Sequence, residues 1–494
     1  MATLIRSQSN HEEVETTPFA HKYLLKRPRL RQSSTTSSLA LSTSTSIRLV
    51  RSPSPSHGPP HDTHPSLPDG PEIDNPAVEK RRFELFIDLI WVGIISNLAE
   101  HFSDQAFGPD ELPIIGPAVF EFIISFLIAW RIWKDLQEFM TKYHTNDLIE
   151  RLFVVWILIL AMLFGNNAPY LFDARDSSNV AIIVFILVLA SFIIVETAYS
   201  IFIPSLRREM ILRVAFTGLT LPLWIPATFT TYPTRPSLIF AAIVVEYTLA
   251  AFLATPPAER LLKQDRFESF DADHWVERIQ DFFIIILGEG VMSLIKGSPL
   301  GRGITAQAST GVLALLAYYV LSGFYFNGDQ SRRYVHAVRR TWWRKSLWLS
   351  AHVTMSASTL ILGVSSVPLI QNPFINAETP AIKGRSTTSS DLRLAENIYA
   401  AKWAVSINLC ITVACQTAIA LLSRSLDRKG SLKISNRYVR LLPRLLLIAI
   451  TICLPIDRKM GGAPFLGTIV ILLLACLFWE WFASLQSDGG FFER

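Results

Sequence analysis

The sequence predicts an all-α membrane protein, a polytopic transmembrane helical bundle of about 10–12 spans behind a disordered N-terminal tail. Half of the 494 residues are hydrophobic and only 18% are charged, below the roughly 25% of soluble domains. The apolar residues also come in blocks of about 20, the length that crosses about 30 Å of hydrocarbon. Finally, positive charge alternates between the connecting segments, as the positive-inside rule requires.

The tail comes first. Residues 1–78 are rich in Ser, Thr and Pro and show no periodic apolar pattern, which predicts a disordered cytosolic tail. Its charged start is not followed by an apolar core, so we expect no signal peptide. The first span should therefore act as the insertion signal.

Twelve segments qualify as candidate spans. The eleventh is short and holds Pro443 and Pro455, so eleven or ten spans remain open. We expect a helical core of about eight spans over 79–330 and a C-terminal segment of about four over 331–494. The candidates are 83–102, 114–133, 151–170, 179–203, 210–230, 237–254, 275–295, 306–326, 346–370, 397–422, 440–456 and 464–485.

Basic residues give the orientation. They are concentrated before the first span and in 327–345 and 423–440, whereas 103–113 has no Lys or Arg. The positive-inside rule therefore predicts that both termini are cytosolic. The net charge of +5 follows from this bias, and it indicates contact with anionic lipid of the bilayer and not with nucleic acid.

The first span carries two acids inside its apolar run, RRFELFIDLIWVGIISNLAEH. Glu84 and Asp88 are one helical turn apart and share a face with Trp91. An ionised carboxylate at the bilayer centre costs about 2.5–3.5 kcal/mol or more. Such a pair therefore indicates a functional site.

The seventh span, HWVERIQDFFIIILGEGVMSL, carries three more acids. At about 100° per residue, Glu277 and Asp281 share a face, whereas Glu289 points close to the direction of Arg278. Single acids in other spans (Glu121, Glu196, Glu246 and Glu480) are better explained as helix–helix hydrogen bonds. Five acids in two helices exceed that need, so acid–base chemistry or proton handling is favoured there.

These acids define the candidate site. Its catalytic residues are Glu84, Asp88, Glu277, Asp281 and Glu289, and its pocket residues are Trp91, Phe282, Tyr318 and Tyr319. Core packing and interfacial belts explain most aromatic residues of a membrane protein equally well. The chain has no Walker loop, GxSxG or HExxH motif and no His spacing for metal, so no cofactor and no metal is expected.

The segments FELFIDLIWVGIISNLAEHF and HWVERIQDFFIIILGEGVMSLI resemble the low temperature requirement A family of bacterial and fungal membrane proteins. The resemblance covers 80–330, and 340–494 match more weakly. Gly290, where the family usually has Ser, and Asp281, usually apolar, suggest a specialised fungal branch. The matching residues are Glu84, Leu85, Phe86, Asp88 and Leu89 in the first segment and Glu277, Arg278, Leu287, Gly288 and Glu289 in the second.

Among fungal relatives, the resemblance implies a membrane-bound terpene cyclase of meroterpenoid secondary metabolism, of the ascochlorin or macrophorin type. In that interpretation a carboxylic acid protonates an apolar prenylated substrate in a dry, aromatic pocket. A proton-coupled transporter or channel fits the same acids, and a non-catalytic role in membrane stress adaptation is a third hypothesis. The substrate, the organelle and the oligomeric state stay open.

Overall fold

A computed structural model describes residues 76–485, except 109–112, 144–146, 173–175, 205, 263–271, 330, 332–333, 377–388 and 428–429. The predicted tail therefore lies outside the described residues, apart from its last three positions. Those three are helical, because the first helix begins at Pro76.

Within the described ranges the chain forms thirteen α-helices. They are α1 Pro76–Phe107, α2 Ile115–Lys142, α3 Leu148–Asn167, α4 Asp176–Phe202, α5 Arg207–Ala227, α6 Thr234–Leu253, α7 Pro256–Leu262, α8 Ala272–Ser293, α9 Ala306–Asn327, α10 Trp342–Gln371, α11 Ser389–Leu422, α12 Arg437–Cys453 and α13 Gly462–Ser484. Three-residue 3-10 turns are Ala168–Tyr170, Ala337–Arg339 and Leu454–Ile456. The predicted all-α membrane bundle is confirmed.

Eleven of these helices, in the described part of the chain, are long and apolar enough to cross a membrane. The least certain candidate, 440–456, is among them as α12 and the turn that follows it. Two of the thirteen helices fail the criterion: α7, which has seven residues, and α8, whose five charged residues lower its hydropathy. At 22 residues, α8 is still long enough to span a membrane.

Two contacts show that α8 runs alongside α1 in the same direction. Asp88 meets Arg278 in the second turn of α8, and Glu100, further along α1, meets Lys296, which follows the C-terminal end of α8. Successive membrane spans alternate in direction, so a seventh span must run parallel to the first. Helix α8 follows six apolar helices and runs parallel to α1. The structure thus supports twelve crossings, with α8 identified by packing and not by composition.

Helix ends follow from local capping. Asp147 accepts a hydrogen bond from the Glu150 amide at the start of α3, and Thr305 does the same for Ala308 at the start of α9. Asn436 caps α12 through the Tyr438 amide. Each satisfies an amide that the first turn of a helix leaves without a backbone partner.

Helix α10 joins the two apolar cores, one built mainly on α1–α6 and α8, the other on α9 and α11–α13. It is the most enclosed of the eleven apolar helices. By sequence α10 belongs to the predicted C-terminal segment, yet it packs against α1 and α8 of the predicted core. The boundary near residue 330 stays a prediction.

Two predicted cytosolic segments meet at one end of the bundle. The two-residue strands β1 Tyr334–Val335 and β2 Arg424–Ser425 pair antiparallel. Arg339 forms an ion pair with Asp273 in the first turn of α8. This end of the bundle therefore gathers the basic connections that 327–345 and 423–440 provide.

Candidate functional site

The contact between α1 and α8, which we call the seam, contains a buried ion pair. The side chain of Arg278 is 2% exposed, and its Nη2 lies 2.6 Å from both carboxylate oxygens of Asp88. From α2, Trp133 donates to Asp88 at 3.4 Å, and Gln137 accepts from the Arg278 Nε at 3.2 Å. Both charges are surrounded by partners, which is how the first span accommodates an acid.

Two more of the predicted acids join this pair. The buried carboxylate of Glu84 lies 3.2 Å from the Nε2 of His274. Asp281 accepts a hydrogen bond from the Nη1 of Arg278 at 3.2 Å. The acids of the first and seventh spans therefore meet through Arg278 and His274.

The other two predicted acids lie elsewhere. Glu277 is exposed at the start of α8, whereas Glu289 is buried about three turns beyond Arg278 and is hydrogen-bonded to Ser96. The structure does not bring either to the Asp88–Arg278 pair. Sequence reasoning missed Arg278 as the central partner, although its direction on the helix matched that of Glu289 to within about 20°.

Three of the four predicted pocket residues are packed in the core. Trp91 is fully buried and donates to the Ala129 carbonyl at 3.3 Å. The ring of Phe282 lies 4.5 Å from that of Trp133, and Tyr318 donates to the Thr359 carbonyl at 3.1 Å. Tyr319 is 60% exposed and is not brought to the others.

Close packing explains why residue 290 is glycine, at the point where α8 crosses α10. A Cβ at this position would lie 2.4 Å from the ring of Tyr318. A Cβ on Gly363 of α10 would in turn lie 3.0 Å from the Gly290 Cα. The two helices therefore approach at a point where only glycine leaves room for the tyrosine.

A cavity of about 470 Å³ lies on the other side of α2. It is bordered by the C-terminal halves of α2, α4 and α6 and by the N-terminal halves of α5 and α10. Trp275, at the start of α8, also borders it. The cavity is thus in the same half of the bundle as the start of α1, the half that the basic segments predict to face the cytosol.

Among the residues that the structure describes, ten acidic or basic side chains border this cavity, five of each sign. The basic ones are Arg131, Lys134, Lys142, Arg213 and Lys345, and the acidic ones are Asp135, Glu138, Glu196, Glu209 and Glu246. Aromatic and aliphatic side chains cover the rest of the surface, among them Trp130, Phe192, Phe216, Tyr247 and Trp275. The cavity is therefore charged in part, apolar in part and formally neutral.

Most of these charges form one continuous network. Asp135 pairs with Arg131 at 2.5 Å and with Lys134 at 3.4 Å. Glu138 pairs with Lys134 at 2.9 Å and with Arg213 at 2.8 Å. The network ends at two acids that each contact one of these cations, Glu196 at 3.1 Å from Arg213 and Glu246 at 3.6 Å from Arg131. Lys142 and Glu209 form a separate pair at 2.8 Å.

None of the five predicted catalytic acids borders the cavity. Trp130 and Trp275 border it instead, and both pack against Trp133 or Phe282 of the seam side. A sequence signal for the network was present: Arg131, Lys134, Asp135 and Glu138 follow the spacing that places residues on one helix face. Glu196 and Glu246, expected as helix–helix bonds, make such bonds and also border the cavity.

Outside the spans, one titratable group is perturbed near the cavity end of the bundle. His336 precedes α10 and packs against Trp348, and its Nδ1 accepts from the Val338 amide. Burial lowers the pKa of His336 to about 4, so the ring is neutral at physiological pH. Among the residues that the structure describes, no group of three or more His, Cys, Asp or Glu side chains could hold a metal ion.

A family model described as Bacterial low temperature requirement A protein (LtrA) matches residues 81–478. The match includes both segments of the seam and the cavity network, and it extends into α13, beyond the core over which the resemblance was expected to be strong. No curated protein and no solved structure matches the chain. Because the family model covers well over half of the sequence, the chain belongs to the low temperature requirement A family.

Proposed function

We propose that this protein is a carrier that moves a small polar solute across the membrane through the cavity. The observation that carries the proposal is the intramembrane cavity with its ten ionisable side chains. Charges inside a bundle usually face a water-filled path or a partner, and here they border about 470 Å³ of space. That volume is within the range of small-molecule sites.

The network suits a site that must change between two states. Asp135, Glu138, Arg131 and Arg213 each contact two opposite charges, so each can lose one partner to a solute and keep the other. A rocking bundle that alternately opens a central site to each side is the usual mechanism of secondary transport.

Accessibility from both sides tests the carrier. In a chain whose four cysteines (Cys410, Cys415, Cys453 and Cys476) are replaced by Ser, we would introduce Ser350→Cys at the cavity. Reconstituted in vesicles, this thiol should react with a membrane-impermeant reagent added to either side. Ile471→Cys, on the 69% exposed outer surface of α13, is the matched control and should not react.

Reaction from one side alone contradicts a carrier and supports a one-sided pocket, as an enzyme or receptor would have. No reaction from either side contradicts a solvated cavity altogether. A solute that slows labelling from both sides would identify itself as the ligand.

Cyclisation of a prenylated substrate is the second candidate, and the fungal, meroterpenoid setting belongs to it. It is favoured by Trp130 and Trp275, which border the cavity and could stabilise a cation over their rings. Against it, both oxygens of Asp88 accept from the buried Arg278, so this acid is held in an ion pair and does not border the cavity. Membranes given a farnesylated phenol epoxide test it: a cyclised product that depends on the protein supports the cyclase, and unchanged substrate counts against it.

A further inference from the structure

The cavity contains one contact that differs from the rest of the network. The other ion pairs of Arg131, Lys134, Lys142 and Arg213 have distances between 2.5 and 3.4 Å. Arg131 and Glu246, in contrast, are separated by 3.6 Å between Nη1 and Oε2. The pair is close enough to attract but is not a direct hydrogen bond. A charged group of a solute is therefore inserted between these two side chains with the smallest loss of existing interaction energy.

Both members of this loose pair are held in place by hydrogen bonds to other side chains. The other oxygen of Glu246 accepts from Trp224 at 2.9 Å and from Thr220 at 3.2 Å. Arg131 donates from its Nε to Asp135 at 2.5 Å. Opposite charges fixed in this way form a preorganised receptor, with one cationic and one anionic contact directed at the same place.

The formal charge of the cavity limits what binds there. With five bases and five acids, a solute carrying one net charge would leave an unbalanced charge inside the bundle, which is costly in a low-dielectric setting. A zwitterion adds one charge of each sign and keeps the balance. The apolar part of the surface, including Trp130 and Tyr247 beside the pair, provides room for a hydrophobic body.

We infer that the solute is a small organic zwitterion of the α-amino acid or betaine type, bound between Arg131 and Glu246. Its carboxylate accepts from the Arg131 guanidinium, and its ammonium contacts the Glu246 carboxylate and the neighbouring aromatic rings. This substrate class rests on the proposed carrier function, since it assigns the solute of the same cavity.

Binding to the purified full-length protein tests the charge requirement without any mutation. The zwitterions are betaine, L-leucine and L-phenylalanine; phenethylamine, 3-phenylpropanoate and 2-phenylethanol keep the phenyl body of phenylalanine but carry a cation, an anion or no charge. We expect at least one zwitterion to raise the thermal unfolding midpoint in detergent and to bind measurably by calorimetry. The three analogues should bind at least about tenfold more weakly than phenylalanine or not at all.

The variant Glu246→Gln keeps an oxygen for Trp224 and Thr220 but removes the negative charge. It should weaken zwitterion binding about tenfold or more. Glu121→Gln is the matched control, because Glu121 lies on α2 outside the cavity and accepts from Gln105 at 2.9 Å. This control should bind as the unmodified protein does.

Two results overturn the inference: binding of phenethylamine or 3-phenylpropanoate as tight as that of phenylalanine, or no binding by any zwitterion. The labelling of Ser350→Cys tests the carrier function separately from the ligand class. Labelling from both sides without zwitterion binding leaves the carrier intact with another solute. Zwitterion binding with one-sided labelling keeps the ligand class and removes transport.

Discussion

The seam and the cavity both place charge inside the bundle, but they differ in what surrounds it. In the seam, the side chains of Asp88 and Arg278 are 4% and 2% exposed and are enclosed by Trp133 and Gln137. In the cavity, the side chains of Glu138 and Arg213 are 15% and 21% exposed and border open volume. An enclosed pair fixes the position of helices, whereas a pair beside a cavity can exchange partners with a solute.

The largest expected effect is in the seam. Asp88→Asn removes the buried counter-charge of Arg278 and leaves it with the more exposed Asp281, which should cost about 3 kcal/mol of stability. The double variant Asp88→Leu with Arg278→Met replaces the pair by apolar side chains and should recover most of that loss. Thermal unfolding in detergent measures both variants. Equal destabilisation by the single and the double variant would show that the lost stability comes from changed packing volume and not from the unpaired charge.

Helix α8, which forms one side of the seam, also depends on close packing against α9 and α10. Gly290→Ala places a Cβ 2.4 Å from the ring of Tyr318, and overpacking of this kind costs about 1–3 kcal/mol. Gly288→Ala is the matched control on the same helix, since a Cβ there meets nothing within 4 Å. The control should be neutral or slightly stabilising because alanine favours a helix over glycine. If both variants unfold at the same temperature, the helices are not held at this contact.

The same two regions separate what the sequence predicts from what it does not. Long apolar blocks determine eleven of the helices almost directly, because hydrocarbon tolerates little else over 20 residues. The acids of α1 and α8 were identified for the same reason. Their partners were not, because Asp88 and Arg278 lie 190 positions apart in sequence and only packing shows that they meet.

The cavity was missed for a different reason. Each of Glu196, Glu246 and Arg213 is the single charge within its predicted apolar span, and a single charge is explained by a helix–helix bond. Only when α2, α4, α5, α6 and α10 are assembled do these side chains border one volume. The charged face of α2 lies within a single helix, so it is the part of the network that a sequence pattern can indicate.

In the cavity, removal of one charge should affect stability less than in the seam. Glu138→Gln leaves Lys134 with Asp135, and Arg213 with Glu196. Because both cations keep an acid and remain beside the cavity, we expect a loss of about 1 kcal/mol. The same unfolding assay measures it, alongside Asp88→Asn. A loss as large as that of Asp88→Asn would make the network structural and would remove the difference between the two regions.

The smallest effect is expected at His336, before α10, the helix that contacts both regions. Its pKa of about 4 lies below the ordinary value of 6.5. Between these values the unfolded chain binds more protons, so stability is complete above about pH 6.5 and falls as the pH falls towards 4. Nearby, Asp273 opposes this shift and Arg339 adds to it.

His336→Asn removes the titration and retains an acceptor for the Val338 amide. We expect the unfolding midpoint of the unmodified protein to fall more than that of the variant between about pH 7.5 and about pH 6, by the equivalent of less than about 1 kcal/mol. The seam and the cavity keep all their charges in both proteins, so the difference between the two pH profiles isolates the histidine. Parallel profiles would place the acid sensitivity in the carboxylates of the seam or the cavity. The variants Asp88→Asn and Glu138→Gln, measured over the same pH range, would then show which of the two regions is responsible.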